Sequence, residues 1–132
     1  MRFISTRVHG VMDYFMAALL IASPWIFGFA TGDIEMWLPI ILGVAMFLMS
    51  LFTDYELGMV KLVGWRMHLM VDAVSGLLLA ASPWLFGFSD RVWAPHLVFG
   101  LLEICASLFT STQPSSPAAP RQGADVGRPV AH

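Results

Sequence analysis

One polar pattern occurs twice in this chain of 132 residues, and its residue types are the ones best suited to chemistry. The pattern is Arg-x-His-x-x-x-Asp, and its two copies are Arg7, His9, Asp13 and Arg66, His68, Asp72. Histidine and aspartate four residues apart share one face of a helix. Paired imidazole and carboxylate groups can bind a proton, a cation or a metal ion. The alternative interpretation is a structural lock, in which arginine reaches the interface and histidine and aspartate bond within or between helices.

A second polar feature lies near the carboxyl end of the apolar sequence. Glu103 follows Trp93 by ten residues, which predicts a carboxyl group near the middle of a membrane-spanning helix. One helical stripe, which we expect to face other helices, contains His96, Gly100, Glu103 and Ser107. Two interpretations stay open. Glu103 is either a proton relay or substrate contact, or a neutral acid that is hydrogen-bonded to a neighbouring helix.

Motifs of known enzymes are missing from the sequence. It has no nucleophile elbow, P-loop, dinucleotide fingerprint, His-Glu-x-x-His or Cys-x-x-Cys motif. Cys105 is the single cysteine, which excludes an intramolecular disulfide and a cysteine-rich metal site. We therefore expect a protein that is not an enzyme, and we predict no cofactor and no motif-defined metal site.

Composition points to the lipid bilayer as the surrounding medium and main partner. Hydrophobic residues make up 58% of the chain and charged residues 12%, whereas soluble domains average about 45–50% and about 25%. Too little polar surface remains to cover a soluble globule. With only 7 Lys and Arg and a net charge of −2, the chain also has no basic surface for nucleic acid.

The charged residues divide the chain into four apolar segments. These segments lie near 8–29, 36–53, 67–88 and 92–110. Each is close to the about 20 residues that cross a bilayer. The sequence thus predicts an all-α membrane protein with four transmembrane helices. The basic residues also indicate an orientation. Six of them lie on one side of the predicted membrane domain, together with both termini, and one lies on the other side. The positive-inside rule therefore places both termini in the cytoplasm. The two groups are Arg2, Arg7, Lys61, Arg66, Arg121, Arg128 and, on the other side, Arg91.

An internal repeat organises these segments into two tandem hairpins. His9 aligns with His68 and Ser23 with Ser82 at the same offset of 59 residues. The sequence Ser-Leu-Phe-Thr also ends both units, at 50–53 and 107–110. Because each unit contains two spans, both insert in the same direction, and their axis of symmetry runs along the membrane normal.

A short motif marks the end of the first helix in each hairpin. It consists of Ser23, Pro24, Trp25 and of Ser82, Pro83, Trp84, each followed by Phe-Gly-Phe. We interpret it as a helix stop and interfacial anchor, in which proline ends the helix, serine bonds the freed carbonyl and tryptophan lies at the interface. We expect the nearby phenylalanines to extend that aromatic belt. They are Phe27, Phe29, Phe86 and Phe88.

These two motifs, in paired apolar helices, resemble the SPW-repeat family of small bacterial and archaeal membrane proteins. The resemblance extends from Arg7 to about Thr110. It implies a four-span integral membrane domain in a bacterial or archaeal plasma membrane. It implies no particular activity, so function is inferred from the residues alone.

The predicted organisation is a membrane domain at 1–112, with repeats at about 7–53 and 66–110 and a disordered Pro/Ala/Ser-rich tail at 113–132. We expect a non-catalytic scaffold or accessory subunit. One alternative is a small oligomeric transporter or channel that uses the buried Asp, His and Glu residues. Another is a haem or metal site with two histidine ligands. The Gly76-x-x-x-Ala80 pattern predicts close packing between hairpins or between protomers, so a homo-oligomer or other membrane proteins are possible partners.

Overall fold

Four helices form the regular structure of residues 1–114, which the computed structural model describes. They are α1 (Thr6–Ile26), α2 (Ile34–Leu51), α3 (Trp65–Leu85) and α4 (Ala94–Phe109). No β-strand occurs in this part of the chain, so the predicted all-α class is confirmed. The predicted tail falls almost entirely outside the described residues.

Each hairpin is packed more closely within itself than against the other hairpin. Glycine makes this possible, because a Cβ atom on Gly43 of α2 would lie 2.8 Å from the carbonyl oxygen of Ala17 in α1. A Cβ atom on Gly76 of α3 would likewise lie 2.8 Å from the carbonyl oxygen of Gly100 in α4. The small-residue pattern that begins at Gly76 therefore packs α3 against α4, inside the second hairpin.

The Ser-Pro-Trp motif forms the last turn of α1 and of α3. Proline has no N–H, so Pro24 leaves the carbonyl of Leu20 without its helical donor. The hydroxyl of Ser23 donates to that carbonyl instead, at 2.8 Å. The second hairpin repeats this bond from Ser82 to Leu79 at 2.7 Å. Serine thus replaces the hydrogen bond that the following proline removes.

After each of the two motifs, the chain leaves the helix at a glycine whose backbone is in the left-handed region. The φ angles are 73° at Gly28 and 72° at Gly87, a conformation that glycine adopts without steric cost. Trp25 and Trp84 project outward and are 61% and 56% exposed.

The predicted aromatic belt is wrong for two of its phenylalanines. Phe29 is 5% exposed and Phe88 is 0% exposed. Their ring centroids lie 5.1 Å and 4.9 Å from that of His96. The glycine turn directs these two side chains back between the helices, whereas Phe27 and Phe86 stay exposed.

The ends of the two hairpins are joined reciprocally. Ile4, before α1, forms a backbone bridge with Thr110, after α4, and Val63, before α3, forms one with Thr53, after α2. The start of each repeat thus pairs with the end of the other repeat. Both hairpin turns lie at the opposite end, so the hairpins run in the same direction about an axis along the bundle.

By length and composition, two helices can cross a membrane. The 18-residue α2 and the 21-residue α3 have mean hydropathies of 2.0 and 1.3. The helix α4 is apolar but shorter, with 16 residues. The structure thus shows an all-helical, membrane-like chain with two candidate spans.

Substitution of Gly100 by alanine is expected to destabilise the second hairpin. The added methyl group would meet the backbone of Gly76 and Ala80, which cannot move without separating α3 from α4. Overpacking of this kind costs about 1–3 kcal/mol. Thermal melting of Gly100→Ala in detergent should show a lower midpoint, while Cys105→Ala on the exposed face of α4 should melt like the parent. Equal melting of all three proteins would contradict the close packing.

Candidate functional site

The two copies of the polar pattern meet between α1 and α3. Nε2 of His9 lies 3.0 Å from Oδ2 of Asp72, and Nε2 of His68 lies 2.8 Å from Oδ2 of Asp13. Along each helix, the His9–Asp13 and His68–Asp72 distances are 3.1 Å and 3.2 Å. Histidine and aspartate therefore alternate in a closed arrangement, here called the His–Asp ring.

The ring is buried and combines two histidines with two aspartates. The exposed fractions are 1% for His9, 5% for Asp13, 0% for His68 and 3% for Asp72. A buried charge without a partner is costly, and each aspartate here faces two histidines. Because one partner comes from each repeat, neither hairpin can satisfy its own aspartate fully. The ring can therefore join the hairpins, as the lock interpretation requires.

Two threonines show that Nδ1 of each histidine carries a proton. The hydroxyl of Thr53 donates its single hydrogen to the carbonyl of Met49 at 2.6 Å, so it must accept from Nδ1–H of His68 at 2.8 Å. Thr110 makes the same two bonds, to Ala106 at 2.6 Å and to His9 at 2.7 Å. Both histidines thus present Nε2 to the aspartates.

An aromatic pair covers one side of the ring. The indole of Trp65 stacks on His68 at a centroid distance of 5.0 Å and meets His9 edge-on at 5.4 Å. Tyr55 packs on Trp65 at 5.0 Å, and its own ring leaves no space for a Cβ atom on Gly10. Burial raises the pKa of the Tyr55 phenol, so this hydroxyl stays neutral.

Other predicted residues lie outside the ring. Arg7 and Arg66 are exposed at the starts of α1 and α3, so the arginine of the repeated pattern does not enter the polar cluster. His96 lies near the hairpin turns, where its Nε2–H donates to the carbonyl of Glu35 at 2.9 Å. Glu35 is itself paired with Arg91 at 2.9 Å. The structure thus separates His96 from the other candidate residues.

Glu103 lies beside the ring and faces a cavity. The cavity measures about 80 Å³, and its lining includes Glu103, His9, both ring aspartates and Met46 of α2. Neither carboxyl oxygen of Glu103, which is 5% exposed, has a hydrogen-bond partner among the described residues. The cavity has no room for a porphyrin, and aspartates already face both Nε2 atoms, so the ring does not accommodate a haem.

Sequence reasoning missed the two threonines and the aromatic cover. A signal for the threonines existed, because Ser-Leu-Phe-Thr ends both repeats. No such signal marks Tyr55 and Trp65, since the repeat offsets pair them with Thr112 and Thr6. Glu35 and Arg91 stand at equivalent positions of the two repeats, 56 residues apart, but their residue types differ, so the repeat did not reveal this ion pair.

The family model of the SPW repeat domain matches residues 7–110. The chain belongs to the SPW repeat domain family. The resemblance inferred from the two Ser-Pro-Trp motifs is thereby confirmed. No curated protein and no solved structure is detectably similar to the chain. The matched region contains the whole His–Asp ring and both threonines, so the ring is part of this SPW repeat domain.

Replacement of one ring aspartate by asparagine should destabilise the SPW repeat domain strongly. In Asp13→Asn, the charge that faces His68 and His9 disappears, and breaking a buried pair costs about 3–5 kcal/mol. Asp72→Asn should cause a similar loss, because the two positions have equivalent partners. Thermal melting in detergent measures both losses.

Asp54→Asn is the matched control. Asp54 pairs with Lys61 at 3.1 Å on the exposed surface, where ion pairs contribute about 0–1 kcal/mol. Replacement of all four ring residues by apolar residues of similar size should restore part of the melting temperature lost in Asp13→Asn. Parent-like melting of both Asp13→Asn and Asp72→Asn would show that the ring does not hold the hairpins together.

Proposed function

We propose that this protein is a four-span integral membrane protein with a non-catalytic scaffold or accessory role. The observation that carries the proposal is a distribution of polar and apolar side chains opposite to that of a soluble protein. All four helices direct apolar side chains outward and polar side chains inward. In soluble proteins, a large exposed apolar surface marks contact with a membrane or partner, and buried polar groups are the exception.

The outer face of each helix offers large apolar side chains to lipid. Phe15 of α1 is 69% exposed, Ile41 of α2 58%, Val74 of α3 63% and Leu101 of α4 48%. These residues lie on all four helices, so the apolar surface surrounds the bundle rather than marking one docking patch. This distribution supports membrane insertion of α1 and α4 together with the two candidate spans.

The interior is unusually polar. Among residues 1–114, fourteen buried side chains are polar or charged, nearly as many as the fifteen apolar ones, which include Pro24, Pro39 and Pro83. Lipid cannot satisfy hydrogen bonds, so polar side chains of membrane helices face the bundle interior. Ser23, Ser82 and Ser107 donate to carbonyls of their own helices, and Thr53 donates to a carbonyl of the preceding α2, which reduces the cost of burying these hydroxyls.

The two ends of the bundle differ in a way that supports the proposed orientation. Four exposed tryptophans surround the end with the hairpin turns, as expected for an interfacial belt: Trp25, Trp37, Trp84 and Trp93. The other end contains Arg2, Arg7, Lys61 and Arg66. Under the positive-inside rule, we place this basic end and both termini in the cytoplasm of a bacterial or archaeal cell.

The small volume of the cavity in the bundle supports a scaffold role more than a catalytic one. The cavity of about 80 Å³ beside the ring has room for only a few water molecules. The ring atoms bond one another and the threonines, so they act first as a connection between hairpins. Partners would bind through the lipid-facing surface, as a second copy or another membrane protein. A role in cation transport is the second candidate, and the position of Glu103 on the cavity favours it.

Cysteine labelling of membrane vesicles tests the four-span arrangement. The background variant is Cys105→Ala, and single cysteines replace Ala30, Met59, Asp90 or Gln113, which are all exposed and lie outside the helices. A membrane-impermeant maleimide should label Ala30→Cys and Asp90→Cys from outside the cell. Met59→Cys and Gln113→Cys should react only after permeabilisation. Labelling of Ala30→Cys and Met59→Cys from the same side would exclude the four-span arrangement.

A further inference from the structure

We propose that the His–Asp ring binds one divalent transition-metal ion of the zinc type. The ligands are Nε2 of His9, Nε2 of His68 and one carboxylate oxygen each of Asp13 and Asp72. The proposal rests on the lock role proposed above, because the metal ion would connect the same two hairpins that the ring connects.

The four ligand atoms are already close enough to surround one ion. All lie within 4.8 Å of one another, and the neighbouring His–Asp pairs are 2.8–3.2 Å apart. Zinc ligands at about 2.0–2.2 Å from the metal are about 3.3 Å from each other in a tetrahedron. Movements of about 1 Å or less per atom therefore complete a closed site with four protein ligands. Such closed sites are typical of structural zinc.

The hydrogen bonds of the two histidines prepare them as metal ligands. Since Thr53 and Thr110 accept from the Nδ1–H groups, each Nε2 points between the aspartates, where a metal ion would replace the proton that joins Nε2 to a carboxylate in the metal-free ring. Metal-bound histidines donate their other N–H in this manner, which holds the ring plane and the tautomer. Imidazole nitrogen and carboxylate oxygen together suit zinc and its neighbours better than they suit magnesium or calcium.

The charge of the ring also matches one divalent cation. Two carboxylates carry two negative charges, which either two protons or one divalent ion can neutralise. A single ion between them contacts all four side chains at once, whereas each proton joins only one donor and one acceptor. The metal-bound ring is therefore neutral in the low-dielectric interior and links α1 to α3 directly.

Glu103 supplies an independent indication of a ligand. Its carboxyl group is 5% exposed, has no hydrogen-bond partner among the described residues and faces the cavity lined by His9, Asp13 and Asp72. A buried carboxyl group without a partner is costly unless a cation or ordered water meets it. The first repeat has an apolar residue, Met46 or Phe47, at the equivalent position, so this additional acid lies on one side of the ring only. We assign Glu103 to the path by which the ion reaches the ring.

Metal titration of the full chain in detergent tests the proposal. After chelator treatment, the protein is titrated with Zn²⁺ by calorimetry and with Co²⁺ by visible absorption. We expect one ion per chain, and Co²⁺ bands of the intensity typical of tetrahedral sites. Asp13→Asn and Asp72→Asn should each weaken binding at least 100-fold, and Asp54→Asn should bind like the parent. The proposal would be overturned if neither Zn²⁺ nor Co²⁺ bound with a stoichiometry of one per chain. It would also be overturned if both ring variants bound metal as the parent does.

The threonines provide a second test for the case that the ring variants fail to fold. Thr53→Val and Thr110→Val keep the ligands but remove the acceptor of each Nδ1–H, and we expect about 10–100-fold weaker metal binding with an unchanged helical circular dichroism spectrum. Parent-like binding in both variants contradicts the assigned histidine orientation.

The outcomes also separate the metal site from the lock. If no metal binds but Asp13→Asn still lowers the melting temperature in chelator, the lock holds and the metal proposal fails. If metal binds to the ring while the cysteine labels contradict four spans, the metal site holds and the proposed membrane arrangement fails.

Discussion

A carboxylate that is buried inside a helix bundle needs a partner, and this requirement determines how the two hairpins meet. Asp13 and Asp72 each face one histidine of their own helix and one of the other repeat. A separate hairpin would leave half of these bonds unmade. The contact between α1 and α3 is therefore specified by polar side chains, although the surrounding surface is almost entirely apolar. In lipid, where apolar surfaces do not discriminate between partners, a polar contact of this kind supplies the specificity.

The remaining contacts between the hairpins depend on the same arrangement. The Thr53 hydroxyl can reach His68 only if the end of α2 lies beside the start of α3, and the backbone bridge between Thr53 and Val63 holds it there. The bridge between Ile4 and Thr110 does the same for His9 on the other side. Within each hairpin, by contrast, close glycine contacts such as that of Gly43 are sufficient. Close backbone packing thus forms the hairpins, and they are joined by these polar bonds and by an apolar cluster with residues from all four helices, including Leu20, Leu79 and Phe99.

Much of the fold could be predicted from the sequence, because charge and hydropathy limit the helices directly. The first and last predicted segments, 8–29 and 92–110, differ by only a few residues from Thr6–Ile26 and Ala94–Phe109. The shared helix face of His9 and Asp13 also followed from their spacing alone. Periodicity cannot indicate, however, which helix lies opposite. The bonds from one repeat to the other, and the inward direction of Phe29, required the three-dimensional arrangement.

Some residues near the ring have no counterpart of the same type in the other repeat. They explain what two hairpins in one chain can form that two identical copies of one hairpin cannot. A two-fold dimer of a single hairpin would present every residue twice around the axis. Two copies of Glu103 would then place two further acids beside a ring that already contains two carboxylates, and like charges so close disfavour ionisation. Two copies of Trp65 would compete for the same space above the histidines, which one indole already covers. Covalent linkage removes this constraint. One side of the ring can keep its aromatic cover, and the cavity beside the ring can gain a single acid, while the symmetric bonds that join the hairpins stay unchanged.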